Sequence, residues 1–337
     1  MTRTGYTSRG TPQVSIAPMM DWTDLHYRYF IRLLTRHTFL YTEMVTAGAL
    51  MYGEQQRFLR FDPVEHPIAL QIGTDNPDDA ARAVEIAEPW GYDEYNLNVG
   101  CPSDKVQEGN FGACLMATPE RVAAIVRGMR KVTDKPVTVK HRIGIDGLES
   151  YDDMLRFVDT VAAAGVDRFT VHARIAILEG LSPKQNRSIP PIRYDDVYRL
   201  KSERPDLEIG LNGQVRRLDE IEEHLRYVDT VMVGRAAYEN PWLMVGVDHR
   251  FFGAPSPSIT RRDVVEALYP YMDILDREGL PPRRMINHLL GLFAGREGAR
   301  KWKQALSGRL PSIPGRDILR NALDAVPEEA LIETAAG

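Results

Sequence analysis

Apolar residues cluster in eight short runs along this chain, at 14–19, 39–44, 67–72, 94–99, 136–143, 168–173, 208–213 and 230–235. Each is strand-length, with helical segments on either side. The segments between them carry helix signals. Ser150 opens 151–164 and Gly165 closes it; 218–227 is amphipathic and ends just before the eighth run. Thr118 before Pro119 and Glu120 predicts an N-cap with proline at the first helical position. Eight such alternations without a change of composition predict the α/β class and a closed (β/α)8 TIM barrel. An open doubly wound sheet is the second choice. No Gly-x-Gly-x-x-Gly follows the first run, which removes the usual dinucleotide signature.

Past the eighth run the pattern changes. Residues 254–258 read as a linker, and Thr260 with Asp263 predicts a capping box opening a helix toward Gly279, kinked at Pro270. Further helices are predicted at 282–294 and 297–306, and from Asp317 onward. The expected organisation is a frayed tail over 1–13, the barrel over 14–245 and an all-helical C-terminal domain over 246–333, with 334–337 frayed.

Charge adds a second distinction. The chain carries a net −5, yet 281–316 holds eight basic residues and one acid, Glu297. A basic block on an otherwise acidic chain suggests a polyanion contact confined to one surface, or else a solvated helix face. Arg296, Arg300 and Lys303 follow at steps of four and three, which places them on one helix face. No apolar run approaches the roughly 18 residues of a membrane helix. The two cysteines exclude a disulfide framework and suit a reducing, cytoplasmic setting. Their spacing suits no metal, and none is expected. The oligomeric state is left open, with a monomer preferred.

The strand ends line up as Met19, Glu43, Gln71, Asn98, Lys140, His172, Asn212 and Gly234-Arg235. Polar groups at nearly every C-terminal strand end point to a ligand site at the barrel mouth. Asn212-Gly213 and Gly234-Arg235 end the seventh and eighth runs, where barrels often hold a phosphate; structural glycines at turns are the alternative. Lys140 suits a Schiff base or a donor to an electron-rich cofactor. His172 suits a site residue or a satisfied core histidine. Cys101, in the turn after the fourth run, suits a nucleophile or a proton donor. Cys114, among small and apolar neighbours, reads as structural.

Several motifs now resemble a known family. They are Ala17-Pro18-Met19-Met20-Asp21-Trp22-Thr23-Asp24, Tyr41-Thr42-Glu43-Met44, Asn96-Leu97-Asn98-Val99-Gly100-Cys101-Pro102-Ser103, Gly112-Ala113-Cys114-Leu115-Met116 and Gly180-Leu181-Ser182-Pro183-Lys184. In this order the chain resembles the tRNA-dihydrouridine synthases from about residue 14 to 307, and its segment 182–187 resembles their A subfamily. The resemblance implies a flavin-binding barrel with a helical tRNA-recognition domain. It implies FMN reduced by NADPH, hydride passing to C6 of a uracil flipped from the D-loop at positions 20 and 20a, and Cys101 protonating C5. By the same resemblance Pro18, Met19, Met20, Gln71, Lys140, His172, Asn212, Gly213, Gln214, Gly234 and Arg235 would hold FMN. Asn98 would meet the base, and Ile175, Leu178 and Arg187 would meet the tRNA. So would Arg296, Arg300 and Lys303, where the resemblance joins the charge pattern. Three positions depart from the family: Gln214 where a glycine is usual, Ile175 where a lysine is frequent, and His141 where a threonine is. A Schiff-base aldolase using Lys140 and a non-catalytic tRNA-binding chaperone are the competing readings.

Overall fold

The computed structural model describes residues 4–103, 106–107 and 109–334. Eight strands form one parallel ring: β1 Val14–Ile16, β2 Leu40–Thr46, β3 Ile68–Gly73, β4 Glu94–Val99, β5 Val137–Ile145, β6 Arg168–Ala176, β7 Glu208–Asn212 and β8 Thr230–Val233. Their order runs β1-β8-β7-β6-β5-β4-β3-β2. The ring closes between β1 and β2 through a Ser15–Phe39 bridge, with Ile16 N donating to Phe39 O and Phe39 N to Val14 O, both at 2.9 Å. This is a (β/α)8 barrel. Among the described residues no helix is long and apolar enough to cross a membrane.

Alternation along each strand divides the barrel into two cores. On β4, Tyr95, Leu97 and Val99 belong to the large apolar core, while Glu94, Asn96 and Asn98 bond to inward residues of other strands. One side of the interior is apolar, built from Ala17, Phe39, Tyr41, Ala69 and Met232. The other is a hydrogen-bonded column. Arg168 donates to Glu94 at 2.5 Å and reaches Glu208 at 3.4 Å. Glu94 also accepts from Tyr41 (2.9 Å) and Thr138 (2.5 Å). Asn96 donates to Thr138, Gln71 to Asn96 and Asn98 to Gln71, at 2.8, 2.8 and 2.9 Å. Gly210 makes room for this packing, since a Cβ there would lie 2.4 Å from Thr230 Oγ1.

The predicted capping box at Thr260–Asp263 forms, and Ser150 opens its helix as expected, closing a further box with Asp153. Thr118 departs from expectation: Pro119 starts the helix Pro119–Arg130, but the Thr118 side chain caps no N–H of that helix. Pro270 breaks its helix instead of kinking it, giving Arg261–Ala267 and Tyr269–Arg277. Both basic-block helices are shorter than expected, at Arg283–Leu289 and Ala299–Leu306. Gly298, at φ +82°, starts the second, so Arg296 lies outside it and pairs with Glu333 at 2.8 Å. The inward face of that helix is fixed by Trp302, whose Nε1 donates to Leu289 O at 2.8 Å.

The N-terminal segment differs most from expectation. Residues 4–13 are seated rather than frayed, because the far end of the barrel offers them acceptors. Thr7 Oγ1 donates to Glu208 at 2.8 Å, and the Arg9 guanidinium donates to Asp167 O and Asp206 O at 3.0 and 2.9 Å. At the other terminus Thr334 bridges Thr260, and 335–337 lie outside the described residues.

Glu94→Ala should cost about 3–5 kcal/mol of stability, because it leaves Arg168 charged and buried without its nearest partner. Denaturant unfolding of the variant measures this, and a cost within the range of a surface substitution would refute the interior pair as a structural anchor.

Candidate active site at the barrel mouth

Cys101 lies two residues beyond β4, half-buried. Its position is set by Asn98, whose Oδ1 accepts from Gly100 N at 3.1 Å and Cys101 N at 3.0 Å. The Asn98 amide donates one N–H to Gln71, which leaves it a second N–H for a ligand. Arg142 supports the same turn from β5. Its Nε donates to Gly100 O (2.9 Å), and one terminal nitrogen donates to Ile175 O (3.0 Å) and Asn186 O (3.1 Å). Asn186 is fully buried and organises 177–187, accepting from Ile177 N and donating to Ile177 O, both at 2.8 Å. Cys114 donates to Phe111 O and burial pushes its thiol pKa up, which fits a structural thiol.

The mouth is cationic. Lys140 faces inward on β5 beside Asn98, its register partner. Burial first, then Arg142, lowers its pKa from the usual 10.5 to about 8. Burial lowers Arg142 to about 10. His172 is held well below 6.5 by burial and then by Arg142, Lys140, Arg174 and Arg187, so it is neutral at pH 7. Burial and Arg235 also lower Arg187. Among the described residues none of Lys140, Arg142, Arg174, Arg187 and Arg235 pairs with a carboxylate. The side chains of Lys140 and His172 have no hydrogen-bond partner there.

The loops after β7 and β8 meet on this side. Asn212 Nδ2 donates to Met232 O at 2.8 Å. Gly213 has φ +131°, and a Cβ would sit 3.1 Å from the His172 ring. Gln214 is left-handed at φ +56°, the conformation that makes glycine the easier residue here. Its side chain accepts from Arg174 at 2.5 Å. The N–H groups of Gly213 and Gln214 have no acceptor among the described residues. Arg235 reaches Arg187 O at 3.4 Å.

On the β1 side Met19 packs on the interior apolar cluster and its N–H donates to Thr23 Oγ1 at 2.9 Å, while Pro18 is half-buried and Met20 exposed. The structure therefore brings Gln71, Asn98, Cys101, Lys140, His172, Asn212, Gly213 and Gln214 to one end of the barrel. Leu178 lies beside it, its carbonyl accepting from Gln107 at 3.2 Å. Ile175 does not join them: its side chain is 9% exposed and packs in the core. Arg300 and Lys303 are exposed on their helix. Sequence reasoning passed over Arg142, Arg174 and Asn186. Strand alternation carries the signal for the first two, each being two residues beyond Lys140 or His172 on the same face. Asn186 lies in the segment 182–187 that carries the subfamily resemblance, but its role is set by contacts made only in the fold.

The dihydrouridine synthase profile matches residues 15–313. The chain is 53% identical over 313 residues to a tRNA-dihydrouridine(20/20a) synthase of Synechocystis sp., covering 93% of this chain and 94% of that one. It is 53% identical over 306 residues to one of Pseudomonas putida, covering 90% and 91%. It is 49% identical over 319 residues to one of Vibrio vulnificus, covering 94% and 98%.

Lys140→Met should stabilise the ligand-free protein at pH 7. With its pKa lowered from 10.5 to about 8, Lys140 binds fewer protons folded than unfolded across that window. Its cost is therefore complete below about pH 8 and fades as pH rises toward 10.5. Denaturant unfolding at pH 7 and near pH 10 should show the variant's advantage at the first and little at the second; a variant less stable than the parent at pH 7 contradicts this.

Proposed function

The chain belongs to the dihydrouridine synthase family, and on that premise we propose that it reduces uridine to 5,6-dihydrouridine in tRNA, at positions 20 and 20a of the D-loop. The observation that carries this reading is the cationic mouth around a half-buried thiol. Lys140, Arg142, Arg174, Arg187 and Arg235 face it with no carboxylate among the described residues to neutralise them, which suits an anionic cofactor and an RNA chain together.

The residues present fit FMN. Among the described residues, the unpartnered Lys140 and His172 side chains and the open N–H groups of Gly213 and Gln214 give a donor set for an anionic, nitrogen-rich group. When bound, FMN, recharged by NADPH, would supply the hydride for C6 of the uracil. Gly213, Gln214, Gly234 and Arg235 would take its phosphate, with Pro18, Met19, Met20, Gln71 and Asn212 around the remainder. Lys140 would stabilise negative charge on the ring system.

The uracil 5,6 double bond is conjugated with the C4 carbonyl. Addition at C6 therefore leaves enolate charge that a proton must quench at C5. Cys101 would give that proton, a role supported by Asn98 holding its backbone and Arg142 holding the turn. The thiolate left behind sits among cations and regains its proton from solvent. The remaining Asn98 N–H would hold the base, and Arg187 the adjoining backbone. Arg300 and Lys303 would contact tRNA farther out; Arg296 is engaged by Glu333 and contributes less. The cytoplasm suits a tRNA substrate.

Cys101→Ala loaded with FMN should be reduced by NADPH yet form dihydrouridine about 100-fold more slowly, the lower range for removing a general acid. Mapping of dihydrouridine in tRNA beside the flavin absorbance separates the two half-reactions, and a wild-type rate would remove Cys101 from the proton step. Arg235→Ala should release flavin on dialysis. Arg300→Glu with Lys303→Glu should weaken tRNA binding and flatten its salt dependence across tRNA species. Purified protein that neither carries nor takes up flavin would refute the reading as a whole.

A further inference from the structure

A cleft of about 710 Å³ lies between the loop after β1 and the helices Arg235–Glu239, Arg283–Leu289 and Ala299–Leu306. None of the mouth residues named above lines it. Its aromatic wall is a parallel stack of Trp22 on Tyr238, with ring centroids 4.3 Å apart and planes 9° from parallel. The stack is held from beneath: His288 contacts Tyr238 OH at 3.2 Å and Asp24 at 3.0 Å, and Asp24 in turn accepts from His26 N and Tyr27 N at 2.9 Å. Gly291 lets the wall close, since a Cβ there would lie 2.6 Å from Glu239 O and 2.9 Å from Tyr238 O.

The cleft is also lined by Arg284, Asn287 and Lys303. None of these three side chains has a hydrogen-bond or ionic partner among the described residues. Most arginines of the C-terminal helices are tied to carboxylates, Arg261 and Arg296 to Glu333, Arg262 to Glu328 and Arg316 to Asp273. Arg284 and Lys303, by contrast, are uncommitted among the described residues, and both line the cleft. A flat ring surface, two uncommitted cations and an uncommitted carboxamide are the parts that hold one unpaired nucleotide: a stacking face, phosphate contacts and a base-edge contact.

We propose that this cleft binds one unpaired nucleotide of the RNA substrate other than the target uridine, with its base against Trp22 and its phosphate between Arg284 and Lys303. The proposal rests on the tRNA reading given above. It makes Trp22 a specificity-determining residue outside the reaction centre.

The test uses the full-length protein loaded with FMN. Trp22→Ala should raise the KM for tRNA about 10-fold, as loss of one base-stacking surface does, with kcat unchanged. Trp22→Phe keeps a ring and should recover most of the loss. Reduction of the flavin by NADPH without tRNA should be the same in all three proteins. Arg284→Gln, on an exposed position, should also raise the KM for tRNA and lower its salt dependence. A KM for tRNA unmoved by both Trp22→Ala and Arg284→Gln overturns the proposal. So does a rise in the KM for NADPH in its place, which would make the cleft a dinucleotide site. Quenching of Trp22 fluorescence by tRNA, absent in Trp22→Phe, supports the cleft even in a preparation that forms no dihydrouridine. Failure of the synthase reading and failure of the cleft are therefore separate results.

Discussion

The contact on which the rest of the structure depends is the 2.5 Å bond between Arg168 and Glu94, inside the barrel. Neither charge can leave water without a full set of partners. Glu94 also accepts from Tyr41 and Thr138, and Arg168 also reaches Glu208. Once Thr138 is committed to Glu94, its oxygen is presented to Asn96, and Asn96, Gln71 and Asn98 are aligned in turn. The last member of that series receives the N–H of Cys101. An ion pair near the floor of the barrel therefore orients the turn that carries the thiol at the top.

The two ends of the interior treat positive charge in opposite ways. Arg168 is kept charged by Glu94, Tyr41 and Glu208, despite burial that works against it. At the mouth no carboxylate among the described residues offsets burial, and Lys140 and Arg142 both fall below their usual ranges. Structural cations are satisfied from within the protein. At the mouth Arg142 is held by carbonyls alone, and the Lys140 ammonium has no partner among the described residues.

Much of this was legible in the sequence, for identifiable reasons. Eight apolar runs with helical segments between them define a barrel because each run must be buried on two sides. Gly100 and Pro102 place Cys101 in a turn whatever the surroundings. The residues that were not legible depend on contacts across long separations. Arg142 matters through carbonyls at 100, 175 and 186. Arg9 looked like part of a loose end because its acceptors, at 167 and 206, lie more than 150 positions away. Thr118 failed as a cap although its sequence context was ideal, and the short helix 299–306 begins where a left-handed glycine allows it, not where the charges suggest.

The closure of the ring has a consequence for how the molecule comes into being. β1 is only three residues long, and it pairs in full register with β8, Val14 opposite Val231, while touching β2 through a single bridge. On a ribosome the first strand emerges some two hundred residues before its main neighbour. The segment ahead of it waits equally long for Asp167, Asp206 and Glu208. Contacts so distant in sequence form late. β1 and the segment ahead of it are thus seated late, and the barrel stays open along one seam until the eighth strand arrives.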